Sequence, residues 1–251
     1  MSNKSILYNL VVIFIIFNFT SEIKKDSTLD YLKSLLQKKV PNSLLLSAIQ
    51  FIRKLTPHDY PGNYENNIQK FEKHKERIKR NKGYIEDQYN YWDLKYGSKT
   101  IEFSGCEIIA AYNALYDLTG EENRNFPEMI DYFEKDGILL YGTLGTAPQA
   151  VEEYINKLGF ETIHSTNKEE YLQIQNSCDA FLLTKYNNIE DITQAIHTIS
   201  ISKKDGKFYT HNNGSIGIRT KYNSILDLIN KIDGGRAKDI VLIGIKKKIN
   251  K

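Results

Sequence analysis

The chain is poor in cysteine, methionine, tryptophan and proline, with two, two, one and five of these residues in 251. Because only Cys106 and Cys178 are present, a disulfide framework cannot be the main source of stability, and they could form one bridge at most. The paired ligand spacings of zinc sites are also missing, which predicts no metal. A net charge of +3 is too small for the positive field of a nucleic-acid-binding protein, so we expect no nucleic-acid partner.

Long apolar runs are missing as well, except for residues 6–19 near the start of the chain. This run is short for a membrane span and suits the core of a signal peptide, yet no small-residue cleavage site follows it. The run predicts either a buried or surface-lying helix, or a membrane tether or atypical signal. The predicted location is accordingly either cytoplasmic or tethered to a membrane through this segment.

Apolar residues recur at helical spacing in three stretches of the first third of the chain, which begin near Leu29, Asn42 and Tyr64. The helical period stops at Gly83, where a segment rich in aromatic residues begins. We therefore predict a helical extension over residues 1–82, which includes the apolar run, and a second domain over residues 83–251.

Helices come first and strands later in the predicted second domain. Helical patterns cover residues 106–118, 127–134 and 148–158, and a run of strand patterns starts at Ala180. No regular alternation of strands and helices is visible, which favours an α+β domain over a doubly wound sheet.

The segment Ser104-Gly105-Cys106-Glu107 places a cysteine on the first turn of the helix predicted from residue 106. Unpaired backbone N–H groups and the helix dipole favour a thiolate there and lower the pKa of the thiol. Cys106 is therefore a candidate nucleophile, and Gly105, which lets a substrate carbonyl approach the backbone, is a candidate substrate-binding residue. The alternative interpretation is a small buried side chain that only packs. Glu107 is expected to complement the helix dipole rather than to act as an acid.

Such a nucleophile needs a histidine as its general base, and His197 is the candidate. Residues 197, 199 and 201 share one face of a predicted strand, and this face is apolar apart from the histidine. The imidazole is therefore expected to point toward the core, as a neutral packing histidine would also do.

Asp205-Gly206 predicts a two-residue hairpin turn after this strand. With these two residues in the loop, Asn212 becomes a diagonal neighbour of His197, close enough for its side chain to orient the imidazole. A one-residue bulge would give this position to Asn213 instead. His211 would face the other way, into solvent.

A nucleophile, a base and an orienting polar group are the three parts of cysteine acyl-transfer chemistry. In type and order, Cys106, His197 and Asn212 resemble the papain-like cysteine peptidases, especially the branch whose peptidase domains process bacteriocin leaders at double-glycine sites. The resemblance covers about residues 84–247 and includes the Gly105-Cys106-Glu107 step and a later glycine-rich stretch.

The resemblance implies a papain-like α+β fold, in which the helix that carries the cysteine packs on an antiparallel sheet that carries the histidine and the asparagine. It implies cleavage of a peptide or amide bond through a thioester on Cys106, with His197 as general base, a peptide or protein substrate, and no cofactor. Two alternatives keep the same fold: an inactive domain that only binds peptides, and an acyl or amide transferase with the same triad.

The sequence departs from the family at the oxyanion hole. The family places a glutamine six or seven residues before the cysteine, where this chain has Thr100 and Lys99. The missing donor predicts that another side chain replaces it, or that the activity is weak or lost. The candidate replacements are Gln88, Asn90, Ser98 and Ser104.

Three further residues complete the predicted site and its surroundings. Trp92 belongs to the aromatic segment that begins the second domain, and it either packs or lines the substrate cleft. Gly142 lies in a flexible loop expected beside the cleft and is a candidate for substrate binding. Cys178 precedes an apolar strand and is predicted to be structural.

Overall fold

The computed structural model describes residues 41–56, 58–121, 125–187, 196–214 and 221–247. The apolar run and the first predicted helix lie outside the described residues. Over the described ranges, no helix is both long and apolar enough to cross a membrane.

Most of the helices precede the main sheet in the chain. The helices are α1 (Asn42–Leu55), α2 (Asn63–Arg80), α3 (Ile101–Ser104), α4 (Cys106–Thr119), α5 (Phe126–Asp136), α6 (Pro148–Lys157), α7 (Tyr171–Ser177) and α8 (Ile225–Lys231). The strands are β1 (Lys95–Tyr96), β2 (Lys99–Thr100), β3 (Glu161–Ser165), β4 (Ala180–Tyr186), β5 (Ile196–Lys204), β6 (Lys207–His211), β7 (Lys221–Tyr222) and β8 (Lys238–Lys246).

Six strands form one antiparallel sheet in the order β3-β8-β4-β5-β6-β7, and β1 and β2 form a separate pair. The last strand, β8, lies between β3 and β4 and so enters the interior of the sheet. Helices pack against this antiparallel sheet, which confirms the predicted α+β class.

Both faces of the sheet are buried under helices. On one face, Leu182 of β4 belongs to a core that includes most of the apolar side chains of α4. On the other face, Phe181 and Leu183 belong to a second core with residues of α7 and α8. Neighbouring strand residues point to opposite faces, so burial on both sides explains the continuous apolar run in β4. The helix that carries Cys106 covers one face of the sheet.

The β5–β6 hairpin has the predicted register. The two lysines that flank the turn are paired, and Ser200 is paired with His211. Asp205 and Gly206 have φ angles of 51° and 68°, the left-handed conformation that two-residue hairpin turns of this kind require. The pairing ends after His211, where Asn212 also adopts a left-handed conformation, with φ of 57°.

Helices α1 and α2 belong to the same core as α4. Ile52 of α1 and Phe71 of α2 are buried together with residues of α4 and α5. Arg53, also buried, ties α1 to α5 and α6 through ion pairs with Asp136 at 2.9 Å and Glu153 at 2.6 Å. Within the described residues, the core therefore continues across the boundary predicted at residue 82.

Candidate active site

Cys106 is the first residue of α4, directly after the short helix α3. Between the two helices, the Gly105 N–H donates to the Ile101 carbonyl oxygen at 2.9 Å. A Cβ on Gly105 would lie 2.7 Å from the Ile101 side chain, so glycine lets α3 pack closely under the start of α4. The structure places the cysteine at a helix N-terminus, as predicted, and gives Gly105 a packing role.

The Cys106 thiol is buried in a polar pocket, with 6% of the residue exposed. The thiol donates to Glu107 Oε2 at 3.0 Å, and the nearby Thr198 backbone has only a small lowering effect on the pKa of the thiol. Burial, followed by the negative charge and hydrogen bond of Glu107, raises the pKa of the thiol well above its usual value. The lowering predicted from the helix dipole is outweighed, and the sulfur is a thiol at neutral pH.

Glu107, which the sequence analysis assigned to the helix dipole rather than to the site, contacts the candidate nucleophile. Its buried carboxyl accepts from the Cys106 thiol at 3.0 Å and from the Thr198 hydroxyl at 3.3 Å. Burial raises its pKa to about 7, against the lowering effect of these hydrogen bonds. A Cβ on Gly145 would lie 2.9 Å from Oε2, so glycine there leaves room for the carboxyl.

His197 lies on β5, and the chain just beyond β6 holds its ring. Nε2 lies 2.6 Å from the backbone carbonyl oxygen of Asn212. A carbonyl oxygen can only accept, so Nε2 carries the proton and Nδ1 carries the lone pair of the neutral imidazole. Burial, followed by the positive charge of Lys185, lowers the pKa of His197 to about 4, so the ring is neutral at neutral pH.

Lys185 is the neighbour of His197 across the β4–β5 ladder. Its buried ammonium donates to Asp233 at 2.5 Å and to Asn187 at 2.7 Å. Burial lowers the pKa of Lys185, whereas the charge and hydrogen bond of Asp233, and a thiolate at Cys106 when it forms, raise it. This cation, which sequence analysis did not identify, therefore interacts with the nucleophile as well as with the histidine.

Among the described residues, no hydrogen bond joins the predicted nucleophile Cys106 to the predicted base His197. Thr198, whose hydroxyl donates to Glu107, directly follows His197 in the strand. Neighbouring strand side chains point to opposite faces, so Thr198 faces Glu107 and α4 while the His197 ring reaches Asn212. In this state the thiol donates to Glu107 rather than to His197.

Asn212 orients His197 through its backbone because its side chain is engaged elsewhere. Its Oδ1 accepts the Gln88 N–H at 3.0 Å, and its Nδ2 donates to Gln88 Oε1 at 3.2 Å. Its own N–H donates to Glu86 Oε2 at 3.3 Å. Asn212, rather than the alternative Asn213, is thus the residue that contacts the histidine.

Residues 84–88 form a segment that we call the strap, because it contacts the end of the β5–β6 hairpin. The buried Asn113 of α4 holds the strap through two hydrogen bonds of 2.8 Å to the backbone of Ile85. At its other end, Gln88 Nε2 donates to the Glu102 carbonyl oxygen at 2.7 Å. The strap therefore links the hairpin to both α3 and α4.

His211 is 1% exposed, so the prediction that it faces solvent was wrong. Its Nδ1 lies 2.8 Å from Glu86 Oε1, and its Nε2 lies 2.8 Å from Ser202 Oγ. The ring of Tyr84 stacks on the imidazole with 3.9 Å between centroids. The strap supplies both Glu86 and Tyr84, and it covers a face of β6 that the hairpin register alone leaves open.

The remaining predicted residues lie in simpler surroundings. Trp92 is 61% exposed, with Lys73 Nζ 5.3 Å from its ring centroid. Gly142 has φ of 91°, and a Cβ there would lie 2.6 Å from the Tyr96 carbonyl oxygen, so close packing on β1 explains this glycine. Cys178 is buried and packs against β8. The structure thus places Trp92 at the surface and gives Gly142 and Cys178 packing roles.

Over the described residues, no group of three or more histidine, cysteine, aspartate and glutamate side chains is arranged to hold a metal ion. Comparison with protein-family models finds no match for the chain, and a search of characterised proteins finds none either. The geometry around Cys106 is therefore the basis for assigning a function.

Proposed function

We propose that the chain is a cysteine hydrolase with a papain-like arrangement, which cleaves a peptide or amide bond through a thioester on Cys106 with His197 as general base. The observation that carries this proposal is the hydrogen bond of 3.3 Å from the Thr198 hydroxyl to Glu107, whose carboxyl also accepts from the Cys106 thiol. It joins the N-terminus of the nucleophile helix to the strand residue that follows the histidine. Thiol acyl transfer requires a cysteine near a histidine that a third group orients.

The tautomer of His197 supports its role as a base. The Asn212 carbonyl holds the proton on Nε2, so Nδ1 has the free lone pair. At Nδ1 the imidazole takes a proton from the water that attacks the thioester. As the C–S bond breaks, the imidazole returns this proton to the departing Cys106 sulfur. The reaction needs no cofactor, and the substrate class is a peptide or protein.

Two side chains are suited to replace the glutamine missing from the oxyanion hole. The Gln88 amide donates one N–H to the Glu102 carbonyl and has a second N–H to offer. Ser104, two residues before Cys106, has a buried hydroxyl with no hydrogen-bond partner in the part of the chain that the structure describes. An unsatisfied buried hydroxyl costs free energy, which a substrate oxyanion would relieve.

The test is the release of amine from a library of peptide amides at neutral pH. We expect Cys106→Ser and His197→Ala to lower the rate by about a thousandfold or more. Cys178→Ser changes the other buried cysteine, so it is the matched control and should keep the wild-type rate. Full activity in Cys106→Ser would overturn the assignment of the nucleophile.

The same assay separates the hydrolase from its two alternatives. Peptide binding without any release of amine would indicate a domain that only recognises peptides. Transfer of the acyl group to added hydroxylamine in strong preference to water would indicate a transferase. Release of the free acid without added amine supports the hydrolase.

A further inference from the structure

Glu107 contacts the reacting atom of the proposed hydrolase but has no role in the steps given above. Its Oε2 lies 3.0 Å from the Cys106 sulfur, and both side chains are buried. A carboxylate in this position accepts the thiol hydrogen bond and is within reach of the thiol proton. His197 directs its own N–H to Asn212. The nearest observed proton acceptor for the thiol is therefore Glu107.

The groups around Cys106 and Glu107 favour a proton that is shared between the sulfur and the carboxyl. The Thr198 hydroxyl donates to the Glu107 carboxyl without adding charge. Ionisable side chains interact with the pair from two other elements: the Tyr96 phenol of β1 and the Lys185 ammonium of β4. The ammonium interacts with the Cys106 sulfur and so favours its thiolate form.

We propose that Glu107 is a second catalytic base of this site, which shares one proton with Cys106 and takes that proton when the thiolate forms. The inference rests on the proposed hydrolase function. In acylation, the S–H bond breaks as an O–H bond forms on Oε2. The sulfur electron pair then forms the bond to the substrate carbonyl carbon. The C–N bond breaks with its electron pair on nitrogen, and the leaving amine takes the proton from Oε2. His197 activates the water of the second half-reaction.

A shared proton gives the pair a pH dependence that a lone cysteine lacks. Burial raises the pKa of Glu107 to about 7 and that of the Cys106 thiol well above its usual value. Below about pH 7 both groups are protonated, and above it one proton is divided between sulfur and oxygen. The fraction present as thiolate with a protonated carboxyl then stays constant with pH. The reactivity of the sulfur should rise to about pH 7 and level off.

The test is the rate of alkylation by iodoacetamide between about pH 5.5 and 9, measured in the full chain by mass spectrometry of the peptide that carries Cys106. In the wild type we expect a rise of roughly tenfold per pH unit that levels off near pH 7. In Glu107→Gln the levelling should disappear, and the rate should climb roughly tenfold per unit across the range. Glu107→Asp, which draws the carboxyl back from the sulfur, should shift or remove the inflection.

Glu134→Gln is the matched control, because Glu134 is a second buried glutamate whose pKa burial raises to about 7. Its Oε1 accepts from Asn63 and Gly97, away from the thiol, so this variant should keep the wild-type profile. A wild-type rate that climbs without levelling, or an inflection that survives in both Glu107 variants, would overturn the shared proton. Iodoacetamide needs no substrate, so failure of the peptide-amide assay is a separate result.

Discussion

The imidazole Nε2 of His197 lies 2.6 Å from the backbone carbonyl oxygen of Asn212. Sequence analysis predicted that the asparagine side chain would orient the ring, but that amide is bonded to Gln88 instead. The left-handed conformation of Asn212, with φ of 57°, sets the direction of its carbonyl. The backbone conformation at residue 212 therefore fixes the tautomer of the histidine.

Replacing Asn212 should test whether its backbone or its side chain orients His197. Asn212→Gly removes the contacts to Gln88 but accepts a positive φ, whereas Asn212→Ala also strains the backbone by about 1 kcal/mol. We expect Asn212→Ala to lose about 1 kcal/mol more unfolding free energy than Asn212→Gly in urea denaturation. In Asn212→Gly, NMR of the ring nitrogens should still show the proton of His197 on Nε2.

The same two variants also have an outcome that would contradict this prediction. If the side-chain amide orients the ring, the glycine and alanine variants lose the Nε2–H tautomer to the same extent. The stability difference of about 1 kcal/mol would remain, because it follows from the positive φ at residue 212 and not from the histidine.

Replacing Gln88 should lower the activity of the site by more than the accompanying loss of stability would explain. It bonds to Asn212 through both its side chain and its backbone, and to the Glu102 carbonyl. We expect Gln88→Ala to lower peptide-amide cleavage by about tenfold to a hundredfold, through a looser strap and the loss of an oxyanion donor. The change should appear in kcat more than in KM.

Gln149→Ala is the matched control for this effect. Gln149 also donates its amide to a backbone carbonyl, that of Leu46 at 2.9 Å, but it lies on α6. Gln149→Ala loses one side-chain hydrogen bond, worth about 1 kcal/mol of unfolding free energy, and Gln88→Ala loses two, worth about 2 kcal/mol. If both lose the same activity, the effect of Gln88 is one of stability alone.

The features of the site that depend on near neighbours in the chain could be predicted from the sequence. The helix predicted over residues 106–118 is α4, which starts at Cys106 and ends at Thr119. The turn at Asp205-Gly206 led to the correct register as far as His211. Helical period, end signals and hairpin turns are local rules, which is why a single sequence carries them.

The features that depend on distant contacts could not be predicted in this way. Glu86 of the strap meets Asn212, which is 126 positions later, and Glu107 meets Thr198, which is 91 positions later. The local sequence around a polar residue is the same whether the residue is buried under another segment or exposed to water. The sequence therefore indicated neither the burial of Glu107 nor the shared core that crosses residue 82.

Glu134 should make the stability of the protein fall as pH rises toward neutrality. Burial raises its pKa to about 7 in the folded state, against about 4.3 in an unfolded chain. Its contribution is thus fully present below about pH 4 and is lost as pH rises through 7. Relative to Glu134→Gln, we expect the wild type to lose about 3 kcal/mol between about pH 4.5 and 8 in urea denaturation. A difference that grows with pH would contradict the raised pKa.

Replacing Arg53 should show that α1 unfolds together with the candidate site and not as a separate unit. Its guanidinium is buried and bonds Glu153 through two nitrogens, at 2.6 and 3.0 Å. Arg53→Met keeps the apolar stem but removes both bonds, so we expect a loss of about 2 kcal/mol of unfolding free energy with one cooperative transition. Lys54→Met, which changes the exposed next residue, should lose less than about 0.5 kcal/mol. Two separate transitions in Arg53→Met would instead mark residues 41–82 as an independent folding unit. In that case the core that α1 and α2 share with α4 would not unfold in a single step.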